Sequence, residues 1–154
     1  MILRTVKIAH WLLEVDPERT KGFYQGIKAE EMCDCLYCQN FVEASKSLDP
    51  AVLQLFQQLG IEPGKPSHLS DIPISEDKMI RYYLGNYHFV GKVIEGELCN
   101  LSDWDETNTL QVDNFKLGIS RDMEFGPDNF PEPVLHLDFE ADLPWLLVEE
   151  PEEI

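Results

Sequence analysis

Positive charge is what this sequence has least of. Lys and Arg together number 12 against 29 Asp and Glu, a formal net charge of −17 over 154 residues. Nucleic acids and anionic membrane surfaces are held by basic footprints that neutralise phosphates. Neither is expected as a partner; a basic protein, a cation or a small molecule remains compatible with the charge. The shortage deepens along the chain, because after Arg121 there are eleven acidic residues and no Lys or Arg.

Long apolar runs are missing as well. No stretch approaches the ~20 residues that a transmembrane helix needs. The opening residues, Met1 to Lys7, hold no apolar signal-peptide core, and Arg4, Lys7 and Glu14 interrupt the pattern. A cytoplasmic protein is expected, in which cysteines are reduced, metal-bound or catalytic rather than bridged. There is no glycine-rich phosphate loop, no H-E-x-x-H and no EF-hand pattern. The four histidines, His10, His68, His88 and His136, are dispersed, so no serine–histidine–acid constellation is visible in the spacing.

What is present is enough for one core. Apolar residues make up 44% and aromatics 10%, well above a disordered composition. The expectation is a single α+β domain over 1–148 followed by an acidic tail, 149–154.

Chemistry concentrates in one place. Three of the four cysteines fall within six residues, as Cys33-x-Cys35-x-x-Cys38. Asp34 is a suitable N-cap, and Cys38, Phe41, Val42 and Ser45 repeat at helical spacing. That places Cys35 in a first helical turn, Cys38 one turn on, and Cys33 just before the cap. Thiols there meet unpaired backbone N–H groups and the positive end of the helix dipole, which favours thiolate. Thiolate both binds soft metals and attacks disulfides.

Three readings stay open. In the first, Cys33, Cys35 and Cys38 bind zinc with a fourth ligand from elsewhere, since structural zinc is tetrahedral. The order of preference is Cys99, then His88, then His136, with His10 and His68 also available. In the second, Cys35-Leu36-Tyr37-Cys38 is a redox C-x-x-C, although no βαβ pattern precedes it. In the third, the thiols are small buried hydrophobes with no function.

The remaining chain predicts a sheet. Residues 3 to 15 read as one central strand with two apolar faces, ended by Pro17 and the charged run to Lys21. Phe23 to Ala29, with Gly22 and Gly26 nearby, reads as turn or loop. Asp49 as N-cap, Pro50 at the first position, the stripe Val52, Leu55, Phe56, Leu59 and then Gly60 predict a helix over 50–59. Residues 61–78 read as a long connection containing His68. Ile80 to Leu84 and Tyr87 to Glu95 read as two strands joined by a Gly85-Asn86 turn. Leu110 to Ser120 gives a further strand or hairpin, and Gly126 to Asn129 a turn. In the last strand, Val134 to Leu143, the odd-numbered residues from Leu135 to Leu143 point inward. His136, Asp138, Glu140 and Asp142 point to solvent. The fold expected is an antiparallel sheet of about five or six strands with two short helices inserted after the first strand.

Several segments together resemble an uncharacterised family of small soluble bacterial proteins. They are Cys33-Asp34-Cys35-Leu36-Tyr37-Cys38-Gln39-Asn40-Phe41, Leu59 to Pro66, Tyr87 to Gly91, and Val134 to Leu147. The C-x-C-x-x-C-x-N motif is the most specific part. That family has no assigned activity, so the resemblance implies one domain with the cysteine helix integral to it, and no catalytic role. The function expected is a non-enzymatic binding or interaction protein with a cysteine metal site. The alternatives are a thiol-redox protein using Cys35 and Cys38, and a small enzyme using His88 in a pocket beside the aromatic strand.

Overall fold

The computed structural model describes residues 3–28, 32–33, 35–72, 80–98, 104–105, 108–121 and 130–148. Within these, seven strands form one antiparallel sheet and three helices precede its central part. The chain runs β1 (Arg4–Ile8), β2 (Trp11–Val15), α1 (Pro17–Gln25), α2 (Leu36–Ser45), α3 (Pro50–Leu59), β3 (His68–Ile72), β4 (Ile80–Glu95), β5 (Thr109–Val112), β6 (Phe115–Ser120) and β7 (Val134–Pro144). The sheet order is β1-β2-β4-β7-β6-β5, with β3 also pairing with β4. The α+β class is as expected and strand exceeds helix, but the sheet has seven strands where about five or six were expected, because the first segment is a hairpin and β3 adds a strand to β4. The Gly126–Asn129 turn and the 149–154 tail lie outside the described residues.

Four local expectations are corrected. Residues 3 to 15 form a hairpin, not one strand. Ala9 takes a left-handed φ of 52°, Ile8 pairs with Trp11, and the chain reverses over Ala9-His10. Val6 and Ile8 therefore share a face with Trp11, Leu13 and Val15, and β1 is a largely exposed edge rather than a covered centre. Neither turn residue is Gly, Asn or Asp, so the reversal carries no ordinary signal.

The second correction is α1. Asp16 accepts from the Arg19 N–H at 3.2 Å and Pro17 sits at the first helical position. This is the same Asp-Pro start as at α3, where Asp49 accepts from the Ala51 N–H at 2.9 Å and Gly60 ends the helix at φ 78°. The glycines near Phe23 obscured it. Three helices, not two, thus enter, and they follow the hairpin. Gly60 also brings α3 against α1: a Cβ there would lie 2.2 Å from the Pro17 carbonyl oxygen.

Third, β4 is a single strand of 16 residues that passes straight through Gly85-Asn86. Gly85 pairs with Leu69 on one side and Phe139 on the other. A Cβ at Gly85 would meet the His68 carbonyl oxygen at 2.4 Å and the Phe139 ring at 2.8 Å. The glycine serves close approach within the sheet, not a turn. Fourth, His68 lies in strand β3 rather than in a loop.

The long β4 organises everything else. One edge pairs with β7 from Ile80 to Val90. The other takes β3 at 82–86 and β2 from Gly91 to Glu95. Between those two partners the strand would expose unpaired backbone groups, and α1 closes the gap. The Tyr24 hydroxyl accepts from the His88 N–H at 2.9 Å and donates to the His88 carbonyl at 2.8 Å. Thr20 Oγ1 accepts from the Val90 N–H at 2.8 Å, and the Asp16 N–H donates to the Val90 carbonyl at 3.0 Å. The backbone N–H and carbonyl groups of His88 and Val90 thus all have partners, as buried backbone requires.

Helices α2 and α3 cover one face of the sheet. Phe41 packs on Tyr83 and Phe139 at 5.3 and 5.6 Å, and Phe56 on Tyr87 and Phe115 at 5.1 and 6.0 Å. Leu135, Leu137, Phe139, Ala141 and Leu143 are buried on this face, as their alternation predicts. Trp145, just beyond β7, is buried with its ring against Tyr37. The opposite face is less open than the alternation suggests. His136 and Asp138 are buried there, at 1% and 3% exposure, while Asp142 is exposed. Among the described residues no helix is long and apolar enough to cross a membrane.

Candidate metal centre

The cysteine corner is built by the start of α2. Its N-cap is Cys35, in extended conformation, one residue later than the Asp34 cap expected from sequence. Asp34 itself lies outside the described residues. Cys35 therefore stands at the cap rather than in the first turn, and its side chain makes no capping hydrogen bond. Cys38 is the third helical residue, and the Gln39 N–H closes the first turn onto the Cys35 carbonyl at 2.9 Å. Cys33 comes from the entering chain. The three sulfur atoms all lie within 4.8 Å of one another. Cys33 and Cys35 are exposed, and Cys38 is half-buried.

This geometry suits a soft cation. A tetrahedral zinc with Zn–S bonds of about 2.3 Å holds its sulfurs roughly 3.8 Å apart, so small side-chain movements close the present triangle. The electrostatics point the same way. Burial, followed by its contacts with Cys33 and Cys35, pushes the Cys38 thiol well above its ordinary range. Three sulfurs this close cannot all ionise side by side without a cation among them. A divalent ion removes that repulsion, and the positive end of α2 adds to the stabilisation of thiolate.

The helix is fixed from behind by Asn40, the last position of the cysteine motif. Asn40 is fully buried. Its Nδ2 donates to the Tyr83 hydroxyl at 3.2 Å and to the Pro144 carbonyl at 3.1 Å. Its Oδ1 accepts from the Leu146 N–H at 2.7 Å. The Tyr83 hydroxyl in turn donates to the Tyr37 carbonyl at 2.9 Å. Asn40 thus ties the cysteine helix to β4 and to the end of β7. The sequence motif singles it out, and only the fold gives it this role.

The corner opens onto a cleft of about 630 Å³ between α1, α2 and the 61–67 loop. All three cysteines line it, together with apolar Phe23, Ile27 and Phe41. Lys65 and Ser67 belong to its wall. The Lys65 ammonium donates to the carbonyls of Tyr24 and Ile27 at 2.8 and 2.9 Å, pinning the loop to the end of α1. Sequence reasoning passes over both residues, since a loop residue gains meaning only from what it folds against.

The expected fourth ligands separate. Cys99 lies outside the described residues. His88 and His136 face each other across β4 and β7, their ring centres 4.1 Å apart. His88 is fully buried, with Nδ1 2.7 Å from Ser67 Oγ. Burial, then the neighbouring His136, lowers its pKa to about 3, which makes it a poor general base at neutral pH. Neither ring lines the cysteine cleft, whereas His68, a candidate outside the order of preference, does. His10 sits in the β1–β2 turn against the Trp11 ring at 4.2 Å. No family model matches this chain, and no curated protein or solved structure matches it.

Proposed function

We propose that this chain is a cytoplasmic, non-enzymatic binding protein whose Cys33, Cys35 and Cys38 hold a soft metal ion, zinc fitting the donor set best. The carrying observation is the three sulfurs within 4.8 Å at a helix start. Sulfur donors favour zinc over magnesium or calcium, which take oxygen. The ion sits at the mouth of the cleft, so its fourth position goes to a residue of the chain, to water or to a bound molecule. The partner is a small molecule or a protein, and the charge of −17 disfavours nucleic acid and anionic membrane.

Elemental analysis of protein purified without a metal-affinity tag tests this. Zinc near one per chain is expected, lost in Cys35→Ala and on chelation together with a fall in melting temperature. Substoichiometric zinc with a melting temperature indifferent to chelator would return the thiols to simple packing.

A second reading is supported by the contrast between exposed Cys35 at the helix cap and half-buried Cys38 three residues on. A Cys35 thiolate would attack a substrate disulfide and Cys38 would displace the mixed disulfide. The substrate leaves as two thiols and the protein is oxidised to a Cys35–Cys38 bridge. Thiol titration separates the readings. Redox chemistry needs a fast-reacting Cys35 in the metal-free resting protein, whereas metal binding slows the thiols until a chelator is added.

A further inference from the structure

Three sulfurs within 4.8 Å of one another make a three-donor set, and among the described residues no fourth His, Cys, Asp or Glu joins it. Zinc asks for a fourth ligand. A trivalent element with three bonds and a lone pair does not. Charge separates the two further. A divalent ion on three thiolates leaves one net negative charge at the site. Cys38 is half-buried, and burial, followed by its contacts with Cys33 and Cys35, pushes its thiol well above the ordinary range. The corner thus favours sulfur in an uncharged form. Three neutral bonds to sulfur satisfy that preference better than three thiolates do.

We propose, building on the three-sulfur reading of the metal centre, that Cys33, Cys35 and Cys38 also bind trivalent arsenic, taken up as arsenous acid. Each thiol meets one As–OH group: an S–As bond forms, the As–O bond breaks, and the thiol proton leaves with the hydroxyl as water. Three such condensations release three waters and yield an uncharged arsenic on three sulfurs. Arsenic stays trivalent, so no oxidant or reductant is consumed. Access suits the same ligand. Cys33 and Cys35 are exposed, and all three cysteines line the cleft. Arsenous acid is uncharged at neutral pH, so the net charge of −17 does not repel it as it repels phosphate or arsenate. Asn40 ties α2 to β4 and to the end of β7, which keeps Cys35 and Cys38 on one fixed turn. Once one sulfur is bonded, the others therefore react at high effective concentration.

The test uses the full chain, reduced and stripped of metal by a chelator that is then removed, with sodium arsenite as the probe. Intact-mass spectrometry should show one arsenic gained per chain and three hydrogens lost. Cys33→Ser, Cys35→Ser and Cys38→Ser should each lose this product, keep at most an arsenic hydroxide on two sulfurs, and bind about tenfold more weakly or worse. Cys99→Ser should retain the three-sulfur product. The wild-type mass decides on its own if a variant fails to fold. Arsenite should also raise the wild-type melting temperature, because it ties the entering chain to α2 in the folded state. Zinc content of a parallel sample keeps this proposal apart from the zinc reading. Zinc bound with no arsenic retained would overturn the proposal and leave the metal centre standing. Arsenic on three sulfurs in a protein that takes no zinc would support it. A two-sulfur product alone, loss of the product in Cys99→Ser, or an unchanged melting temperature would each overturn it.

Discussion

Removing one oxygen, in Tyr24→Phe, should cost this protein more than its size suggests. The ring stays and no cavity opens. What disappears is the hydroxyl that serves both the N–H and the carbonyl of His88, at 2.9 and 2.8 Å, in the gap between β3 and β2. Tyr24 is 1% exposed, and burial raises its hydroxyl pKa, so the phenol stays protonated and can donate. Two buried backbone groups are then left without partners at ~1–3 kcal/mol each, or about 4 kcal/mol together. For a domain of this length that corresponds to a fall of roughly 8–16 °C in melting temperature. Urea unfolding followed by circular dichroism gives the free energy, and hydrogen exchange should show the His88 amide losing protection ahead of its neighbours. Tyr82→Phe is the control, since its half-buried hydroxyl meets the Glu140 carboxylate rather than buried backbone, and it should cost about 1 kcal/mol or less. A loss below about 1 kcal/mol for Tyr24→Phe, with normal His88 protection, would refute the idea that α1 completes the edge of β4.

Other outcomes follow from the same structure. Asn40→Ala removes three hydrogen bonds of a buried side chain and should lower stability by about 3 kcal/mol in urea unfolding, with metal affinity falling as the cysteine helix loosens. His88 gives a pH dependence. Its folded pKa, about 3, lies below the ordinary 6.5, so its contribution is complete above pH ~6.5 and is lost progressively as pH falls toward 3. Between pH 6.5 and 5 the loss is about 2 kcal/mol. Denaturation across that window should show a steeper decline for wild type than for His88→Gln; parallel curves would contradict it.

The sequence makes its helices legible where capping chemistry and periodicity agree, as at Asp49-Pro50 with the Val52, Leu55, Phe56, Leu59 stripe. The same Asp-Pro start at α1 is hidden because Gly22 and Gly26 suggest a loop, while Thr20 and Tyr24 are anchored by β4 rather than by an apolar stripe. The alternation of β7 identifies the core face correctly. It cannot show that His136 and Asp138 become buried on the other face, which depends on residues distant in sequence. Gly85 illustrates the limit best. A turn and a close approach both select glycine, and only the pairing to Leu69 and Phe139 distinguishes them. At the site, the spacing of Cys33, Cys35 and Cys38 predicts their convergence. The cleft they border, with Lys65, Ser67 and His68, arises from long-range folding that no local spacing encodes.

The most direct test of the metal centre is the absorption spectrum of the reduced protein loaded with Co²⁺ in place of zinc. Three thiolates in a tetrahedral set predict strong near-ultraviolet thiolate-to-cobalt charge transfer together with visible d–d bands. The charge-transfer intensity should fall by about one third in each of Cys33→Ser, Cys35→Ser and Cys38→Ser, since each supplies one sulfur of the set. Bands should vanish on addition of one equivalent of zinc per chain. Weak octahedral bands with no charge transfer, unchanged in all three variants, would contradict the account.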